Sequence, residues 1–476
     1  MDDPKRTSRR NFIKLATATT LVAGASRKGF GSTATHLIEP REQQTPKASP
    51  NERIRIATIG VGGQGTSDTN AALRRSGPST EQANPTPLGP GVEVVAVADL
   101  YDGRLTRAKE IWGKQLFITR DYHEILTRPD VDAVIVATSD HWHRKVAVDA
   151  MKAGKDVYLE KPMVQSLDEG KILIDAARAT NRILQVGSQR VSSIVYQKAK
   201  ELYIAGAIGE LNLVEAWWNR NSALGAWQYT LPPDASVRTI DWEGFLGKAP
   251  KMPFDPIRFF RWRNYRDYGT GVAGDLFVHL FSGLHFVLSS KGPIRVMATG
   301  GLRYWKDGRD VPDVMLGIYD YPKTATHPEF NLSLKVNFAD GGGGEEGFRF
   351  VGSEGVMTIG KGVTITRKPF AKEPGLSTNT FPKTMQEAIK KEYRTRYPEN
   401  LKELNSTREE VYVAPEGYSD QVDHLANFLD AVRTRKPVIE DGVFGFRAAG
   451  PALLTNLSYF NRRSYEWDPV DVKIKV

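Results

Sequence analysis

An apolar run that ends in glycines, RIRIATIGVGGQG at residues 53–65, constrains the fold of this chain more than any other stretch. The apolar part predicts a buried β-strand, and the glycines predict a tight turn into a helix over Ser67–Arg75. Three of the glycines have the spacing G-x-G-x-x-G, which lets a phosphate group approach the backbone at a helix N-terminus. The candidate phosphate-binding residues are Gly60, Gly62, Gly63, Gln64 and Gly65. Because a strand precedes this motif and a helix follows it, we expect a bound dinucleotide here.

Strands and helices alternate after this turn. VEVVAVADL, VDAVIVATSDHWH and DVYLEKPM each predict a strand that runs into polar residues, and AVDAMKAGK predicts a helix that stops at Gly154. This alternation predicts an α/β domain with a doubly wound parallel sheet, which we place in residues 52–188. Ligands of such sheets gather at the carboxyl ends of the strands. The candidate cofactor-binding residues at or just beyond these ends are Asp99, Thr138, His143, Glu160, Lys161 and Gln189.

Asp99 bears on the choice of cofactor. An acid at the end of the second strand can accept hydrogen bonds from the adenosine ribose hydroxyls, which favours NAD, although a turn residue at a strand end is the alternative. The loop Ser76–Gly91 accounts for a spacing longer than the usual ~20 residues. Arg104 is near enough in sequence to leave NADP open. His141 and His143 have metal-ligand spacing, but no third ligand joins them, so we expect no metal.

The N-terminus has the features of an export signal in the expected order. SRRNFIK at residues 8–14 contains the pair Arg9 and Arg10 and resembles the twin-arginine export signal; a weakly apolar stretch and AGA follow. We predict a signal peptide in residues 1–25 and a polar linker in residues 26–51, with a disordered basic tail as the alternative. No apolar run approaches the roughly 20 residues of a membrane-spanning helix, so we expect no stable membrane anchor.

Composition narrows the chemistry further. The 476 residues include no cysteine, which excludes disulfides and thiolate sites. Residues 1–50 hold nine Lys and Arg and four acidic residues, so residues 51–476 carry only +4 of the net charge of +9. This mild surplus is not gathered into basic runs, and we expect no nucleic-acid partner.

The triplet Glu160-Lys161-Pro162 makes a family recognisable. Together with the glycine motif and the strand-end acid, it resembles the Gfo/Idh/MocA family, the group of glucose–fructose oxidoreductase and inositol dehydrogenase. Further along the chain, YGTGVAGDLFVHL resembles the family's glycine-rich lead into an Asp-x-x-x-His pair, here Asp275 and His279.

The resemblance covers residues 52–465 and implies a second, α+β domain with an open, mostly antiparallel sheet. We assign residues 189–476 to this domain, for substrate binding and oligomerisation, and alternating segments such as LSLKVNFADG agree with a sheet there. Ser282 departs from the family, which often has an acid three residues after the histidine. Lys161 argues against the N-acetylgalactosaminidase branch, which usually replaces the lysine of the triplet.

Asp275 and His279 are spaced so that their side chains could lie next to each other, because residues four apart lie on one face of a helix. A carboxylate beside an imidazole orients the ring and raises its pKa, which suits a general base for a substrate hydroxyl. Lys161 would hold the hydroxyl oxygen and stabilise its developing charge. By spacing alone a surface pair and a solvated lysine are the commoner outcome, and the resemblance favours the catalytic roles. Because Lys161 and the Asp–His pair belong to different domains, we expect the active site in a cleft between them.

Aromatic and polar residues crowd the segment 217–268. Aromatic faces stack on the C–H faces of sugar rings, while Asn and Arg bond hydroxyls; ordinary core packing is the alternative for several of them. The candidate substrate-binding residues are Trp218, Asn219, Arg263 and Tyr268.

These features predict an NAD-dependent oxidoreductase that moves a hydride between a tightly bound nicotinamide cofactor and a hydroxyl of a sugar, polyol or glycoside. Twin-arginine export moves folded proteins, so the chain could carry its dinucleotide into the periplasm or the medium. Two alternatives stay open: a redox-neutral glycosidase, lyase or epimerase that acts through a transient keto-sugar, and a protein that binds sugar without turnover. The expected partners are a carbohydrate, the twin-arginine export machinery and further copies of the chain in a homo-oligomer.

Overall fold

The computed structural model describes residues 32–39, 53–73, 91–367, 377–396 and 408–475. The predicted signal peptide, with Arg9 and Arg10, lies outside these residues, as does most of the predicted loop Ser76–Gly91. The described residues fall into two compact units. The larger unit holds both β-sheets, and the smaller one holds the helix Lys383–Arg396.

The strands of the described residues are β1 Ser32–Leu37, β2 Ile54–Ile59, β3 Val92–Ala98, β4 Phe117–Thr119, β5 Ala133–Val136, β6 Asp156–Leu159, β7 Leu184–Val186, β8 Leu211–Asn219, β9 Arg295–Gly301, β10 Val314–Tyr321, β11 Phe330–Asn337, β12 Glu346–Gly352, β13 Val356–Ile359, β14 Gly362–Arg367, β15 Arg408–Val413, β16 Tyr465–Asp468 and β17 Lys473–Ile474.

The α-helices of the same residues are α1 Gly63–Leu73, α2 Asp102–Trp112, α3 Tyr122–Leu126, α4 Asp140–Lys152, α5 Leu167–Thr180, α6 Ile194–Ile204, α7 Trp242–Leu246, α8 Pro256–Phe260, α9 Val278–Leu288, α10 Lys383–Arg396, α11 Asp420–Thr434 and α12 Gly442–Asn461. A 3₁₀ turn spans Gln189–Ser192, and a π-helical turn, Ala273–Phe277, leads directly into α9. Among the described residues, no helix combines the length and apolar character that crossing a membrane requires.

The first sheet has six parallel strands in the order β4-β3-β2-β5-β6-β7. Every residue of β5, Ala-Val-Ile-Val, is buried, as is usual for parallel strands that helices cover on both faces. The chain winds one way from β2 to β3 and the other way from β2 to β5, so the loop after β2 lies where the strand order reverses. The predicted doubly wound parallel sheet is confirmed.

The second sheet has 11 strands in the order β1-β15-β14-β13-β12-β8-β11-β10-β9-β16-β17. β8 pairs in parallel with β11, whereas β8 with β12, β10 with β11 and β9 with β10 are antiparallel. One face packs under α12, where Thr455 bonds the Tyr319 hydroxyl at 2.7 Å and Ser458 Oγ accepts from the Ala298 amide at 2.9 Å. The predicted α+β domain with an open, mostly antiparallel sheet is confirmed.

The predicted linker, residues 26–51, contains the strand β1, which lies at the edge of the second sheet. Ile38 N donates to Val413 O at 2.8 Å, and the His36 and Tyr412 rings stack with centroids 4.9 Å apart. Edge pairing depends on backbone groups and does not require an apolar alternation. The polar composition of this segment therefore did not indicate a strand.

Helix α11 begins after Ser419, whose Oγ accepts from the Val422 amide at 3.5 Å, as the side chain of an N-cap residue does. Its buried face packs on the first sheet and not on the second. The shared core consists of Leu425, Phe428 and Leu429 from α11 with Ile54, Ile56 and Tyr158. Residues late in the chain thus complete the core of the nucleotide domain, which the predicted boundary at 188/189 does not capture.

Candidate active site

The turn between β2 and α1 has backbone positions that only glycine fits. Gly60 has a φ of +92°, and a Cβ there would lie 2.6 Å from the Ala137 carbonyl oxygen. A Cβ at Gly65 would overlap the Gly60 carbonyl oxygen. A Cβ at Gly63 would meet no atom within 4 Å, so open space remains where α1 begins. The first N–H groups of a helix lack partners within it, so this turn can accept a phosphate group.

A cleft of about 1060 Å³ opens from this turn. It runs from the carboxyl ends of the first sheet's strands to loops of the second domain. The predicted cofactor-binding residues that line it are Gly60, Gly62, Gly63, Gln64, Asp99 and Thr138. The side chains that line it from the second domain include Arg220, Tyr229, Phe245, Phe259, Phe260, Trp262 and Arg263.

Asp99 lies at the end of β3 with its carboxylate held by backbone amides. Oδ2 accepts from Val61 N at 2.9 Å, and Oδ1 accepts from Tyr101 N at 3.0 Å. Arg104 Nη1 lies 3.4 Å from Asp99 Oδ1, and its guanidinium lies 5.4 Å from the centroid of the Phe260 ring. The cleft therefore presents both an acid and an arginine where the sequence predicted the ribose contact.

His143 does not line the cleft, although the sequence predicted a cofactor contact. Its Nδ1 lies 2.7 Å from Pro162 O, its Nε2 lies 3.1 Å from Thr138 O, and the residue is 1 % exposed. Burial lowers its pKa to about 4. Helix α4 begins at Asp140, earlier than the sequence indicated, and turns His141 and His143 into the interior. Within the described residues no group of three His, Cys, Asp or Glu is arranged to hold a metal ion.

Glu160 is buried directly behind Lys161 and does not line the cleft. Its Oε2 accepts from Lys161 N at 3.2 Å. Burial, and next the nearby Asp68, raise the pKa of Glu160 well above its usual value. Burial also raises the pKa of Asp68 to about 6, although Gln64 and Gln421 donate to it. Both carboxyl groups are therefore harder to ionise than exposed ones, and burial is the main cause for each.

Lys161 forms an ion pair that links the two domains. It follows β6 of the first sheet, and its Nζ donates to Asp275 Oδ1 at 3.2 Å and to Asp275 O at 3.1 Å. Arg263 Nε donates to the same Oδ1 at 3.1 Å. Burial by itself would raise the pKa of Asp275, but Lys161 and Arg263 outweigh burial and hold that pKa well below its usual value. Asp275 is therefore a carboxylate shared by two cations, of which Arg263 lines the cleft, whereas Lys161, Asp275 and His279 do not.

His279 is close to this ion pair but is not hydrogen-bonded to Asp275, which corrects the predicted Asp–His pair. The i,i+4 geometry assumes a regular α-helix, whereas Asp275 lies in the π-helical turn and His279 in α9. His279 Nδ1 is buried and has no hydrogen-bond partner in the described part of the chain. Burial, then Lys161 and Arg190, lower the pKa of His279 well below its usual value, and Asp275 opposes them. The imidazole is therefore neutral near pH 7.

The His279 ring packs against Trp218, one of the four predicted substrate-binding residues. The two ring centroids are 4.9 Å apart. Arg190 also lies over Trp218, with its guanidinium carbon 5.3 Å from the ring centroid. The same guanidinium pairs with Glu346 at 2.6 Å and with Asp420 at 3.2 Å. Trp218 thus fixes the histidine from the side of the second sheet.

The remaining predicted site residues lie in different environments. Arg263 lines the cleft and its guanidinium stacks over Trp262 at 4.2 Å. Tyr268 is fully buried among aromatic side chains, because the segment around it forms a small core of its own, and it does not reach the cleft. Neither Asn219, at the end of β8, nor Gln189, at the start of a 3₁₀ turn, lines the cleft.

Ser282, where the resemblance leads one to expect an acid, hydrogen-bonds a buried acid from another element. Its Oγ donates to Glu440 Oε2 at 2.9 Å. Glu440 precedes α12 and is 0 % exposed, and burial raises its pKa well above the usual value. The protein therefore places a carboxyl group beside this position of α9 by a tertiary contact.

Residues 54–188 match the model of the GFO_IDH_MocA family, an oxidoreductase family with an NAD-binding Rossmann fold. This segment is therefore similar to the nucleotide-binding domain of Gfo/Idh/MocA oxidoreductases. The match covers the glycine turn, Asp99 and the Glu160-Lys161-Pro162 triplet; it supports the predicted family for this domain, and the prediction of NAD as cofactor is confirmed.

Curated relatives match part of the chain. The inositol 2-dehydrogenase of Salmonella paratyphi B is 34% identical over 121 residues, 25% of this chain and 36% of that protein. A glycosyl hydrolase family 109 protein of Solibacter usitatus is 31% identical over 188 residues, 37% of this chain and 38% of that protein. The chain therefore matches little more than a third of the length of these relatives.

Solved structures resemble the protein over both domains. A levoglucosan dehydrogenase in complex with NADH and levoglucosan has a TM-score of 0.60 at 16% identity, over 87% of this chain and 99% of that one. A putative myo-inositol dehydrogenase from Sinorhizobium meliloti has a TM-score of 0.54 at 17% identity, over 87% and 99% of the two chains. This likeness shows that the two-domain fold is shared.

The residues of the cleft fit an NAD molecule. The open space at Gly63, the N-terminus of α1 and the Asp99 carboxylate supply a phosphate site and a ribose site along one wall. On the opposite wall the sequence predicted Arg263 but missed Arg220 and Tyr229, which also line the cleft. Their signal was present only as membership of the aromatic and polar segment, and the fold was needed to select them.

Proposed function

We propose that the protein is an NAD-dependent oxidoreductase that oxidises a hydroxyl-bearing carbon of a sugar, polyol or glycoside. The observation that carries this proposal is the ion pair between Lys161 and Asp275. It joins the carboxyl edge of the nucleotide-binding sheet to the turn before α9, next to a neutral histidine. Arg263, which shares the carboxylate, lines the dinucleotide cleft, so these groups bring a cation and a proton acceptor close to it.

Each of the three side chains has a separate role in the proposed reaction. Bound NAD supplies the acceptor for the hydride. Lys161 donates a hydrogen bond to the substrate oxygen and stabilises negative charge on it. His279 accepts the hydroxyl proton, which its neutral form allows. Asp275 holds Lys161 and Arg263 in place and offsets their charge.

The proposal is tested by loading the purified protein with NAD and adding a panel of sugars and polyols. Reduction of the cofactor is followed by its absorbance in single-turnover and steady-state experiments. A substrate that reduces the cofactor in the parent but not in Lys161→Ala supports the proposal. If no member of the panel reduces the bound cofactor although NAD and sugar both bind, the protein is a binding protein and the proposal is wrong.

A redox-neutral reaction through a transient keto-sugar is the second candidate. The glycosyl hydrolase family 109 relatives favour it, because the match to one of them extends over 188 residues against 121 for the inositol dehydrogenase. Lys161 favours the dehydrogenase. A redox-neutral reaction would form product without net formation of NADH. The amount of NADH formed per molecule of product therefore distinguishes the two candidate functions.

We also propose that the protein is exported folded by the twin-arginine route, with tightly bound NAD, to the periplasm or the medium. The Arg9-Arg10 pair, the apolar stretch after it and the small-residue cleavage site support this proposal. A further proposal is a homo-oligomer formed through the second sheet. Its support is the exposure of large apolar side chains on that sheet.

A further inference from the structure

Arg220 is a cation in the cleft that lacks an acidic partner. It follows β8 and lines the cleft from the second domain. Its Nη1 donates to the carbonyl oxygen of Gly225 at 2.8 Å, and its guanidinium lies 5.5 Å from the Phe338 ring centroid. In the described part of the chain, no carboxylate oxygen lies within 4.0 Å of its side-chain nitrogens. The other N–H groups of its guanidinium remain for a ligand.

The other cleft-lining arginines each have a carboxylate partner. Arg104 lies 3.4 Å from Asp99, Arg120 2.5 Å from Asp102 and Arg263 3.1 Å from Asp275. Arg220 thus differs from three arginines in the same cleft. Burial lowers its pKa, which means that the folded protein does not compensate its charge.

The two acids that interact with Arg220, Asp275 and Glu346, both pair with other cations. Asp275 is already shared by Lys161 and Arg263, so it cannot neutralise a third cation. Asp140, a buried acid that interacts with Arg263, accepts from Thr270, and burial raises its pKa to about 7. This buried acid therefore carries only part of a charge at neutral pH. A half-buried guanidinium in such surroundings is stabilised by an anion brought in by a ligand.

We infer that Arg220 binds a carboxylate of the substrate, so that the preferred substrates are sugar acids such as uronates. A guanidinium fork matches the two oxygens of a carboxylate, and the aromatic rings of Tyr229 and Trp262 in the same wall suit the C–H faces of a sugar ring. The inference rests on the proposed function for the identity of the reacting hydroxyl. It adds two claims of its own, that the substrate is negatively charged and that Arg220 is the residue that binds this charge.

An anion at Arg220 could also come from the dinucleotide, because its pyrophosphate presents the same chemistry to a guanidinium. The position of Arg220 in the second domain, on the same wall as Arg263, favours the substrate. The two sources predict different losses, since one affects sugar binding and the other NAD binding.

The test measures binding of matched acid and neutral sugars to the NAD-loaded protein by tryptophan fluorescence or calorimetry. The pairs are glucuronate with glucose, galacturonate with galactose, and mannuronate with mannose. In the parent at least one acid should bind about tenfold or more tightly than its neutral partner. In Arg220→Gln that preference should fall to within about twofold, with the affinity for NAD unchanged. Arg349→Gln is the matched control, because Arg349 also belongs to the second domain but pairs with Glu215 at 2.6 Å and does not line the cleft.

Three results would overturn the inference. The first is a parent that binds no acid better than its neutral partner, a result that does not depend on how any variant folds. The second is Arg220→Gln with weakened NAD affinity and an intact acid preference, which would assign the arginine to the pyrophosphate. The third is an equal loss in Arg349→Gln, which would indicate a general charge effect. If neutral sugars are turned over and acids are not preferred, this inference fails but the proposed oxidoreductase function stands. If acids are preferred in binding but no sugar reduces NAD, only the proposed function fails.

Discussion

Lys161 Nζ and Asp275 Oδ1 lie 3.2 Å apart, and they come from different domains and positions 114 residues apart in the chain. Neither residue lines the cleft, but Arg263, which shares the carboxylate, does. Both cations rely on this one buried carboxylate to neutralise their charge. The contact therefore affects the stability of the fold as well as the proposed reaction.

Asp275→Asn should therefore destabilise the protein and slow turnover. The variant leaves Lys161 and Arg263 without a carboxylate, and removal of one partner of a buried ion pair costs about 3 kcal/mol or more of unfolding free energy. Chemical denaturation at pH 7 measures this loss. The control is Asp175→Asn, whose partner Lys171 is 80% exposed, and its effect should stay within about 1 kcal/mol.

The same variant gives a pH dependence of known sign. The folded-state pKa of Asp275 is depressed, so its contribution is complete above the usual carboxyl pKa of about 3.9 and is lost as pH falls below that value. The stability difference between parent and Asp275→Asn should be constant from about pH 7 to 5 and shrink below about pH 4. A difference that grows on acidification would contradict the assigned ion pair.

Asp99 should make NAD bind more tightly than NADP, because its carboxylate repels a 2′-phosphate. In Asp99→Asn the preference should shift toward NADP by about tenfold, or ~1.4 kcal/mol, since Arg104 remains to meet the phosphate. Calorimetric titration with both dinucleotides measures the shift. Asp132→Asn is the control, because Asp132 pairs with Arg55 away from the cleft. Only NADP in the gently purified parent would contradict the prediction.

The sequence predicted the wall of the cleft that is formed by the glycine turn and the ends of the parallel strands. Gly60 and Asp99 follow buried strands, and parallel strands in one sheet must bring their carboxyl ends to one edge. The spacing of apolar residues and the residue types of a turn are local properties of the sequence. These positions could therefore be placed without knowledge of the rest of the chain. The resemblance then added Lys161 to the same edge.

Apart from Arg263, the opposite wall could not be predicted, because it depends on tertiary contacts. Tyr268 and Trp262 belong to one aromatic segment, yet the first is buried in a local core and the second lines the cleft. The π-helical turn removed the Asp275–His279 pairing that the four-residue spacing indicated. The missing partner of Arg220 became visible only when the fold had assigned the carboxylates to other cations.

Export should depend on the arginine pair. Changing Arg9 and Arg10 together to lysine keeps the charge and removes the motif, so precursor should accumulate in the cytoplasm. Cell fractionation and immunoblotting measure the distribution. Arg27→Lys, outside the motif, should leave export unchanged. An undiminished periplasmic yield from the double variant would refute the export proposal.

Assembly should depend on the exposed face of the second sheet. Met297, Leu316 and Ile318 are 36%, 45% and 50% exposed, and Ile318 pairs with Met297 across β10 and β9. Ile318→Glu should shift the protein toward monomers, because a charge opposes burial of this face against a second copy. Light scattering at micromolar concentration measures the mass. Ile172→Glu, at a 44% exposed residue of α5, is the control; a monomeric parent would contradict the prediction.

His279 should be the proton acceptor, and its loss should slow the chemical step while NAD remains bound. His279→Ala should lower turnover by about 10²–10⁴-fold, the usual effect of removing an acid–base group. The control is His285→Gln, six residues further along α9, because His285 is also buried but bonds the Tyr321 hydroxyl at 2.9 Å away from the cleft. Single-turnover reduction of the bound cofactor measures the step itself. If His279→Ala reduces its cofactor as fast as the parent does, another group takes the proton.

The pH profile tests the same role independently. Burial, then Lys161 and Arg190, lower the pKa of His279, so its neutral, proton-accepting form persists below the usual value of about 6.5. The acid limb of kcat/KM in the parent should therefore lie below pH 6.5, and it should be absent from the residual activity of His279→Ala. Because Asp275 opposes the other groups, Asp275→Asn should move that limb to still lower pH. A limb above pH 6.5 that survives in His279→Ala would show that a different residue titrates.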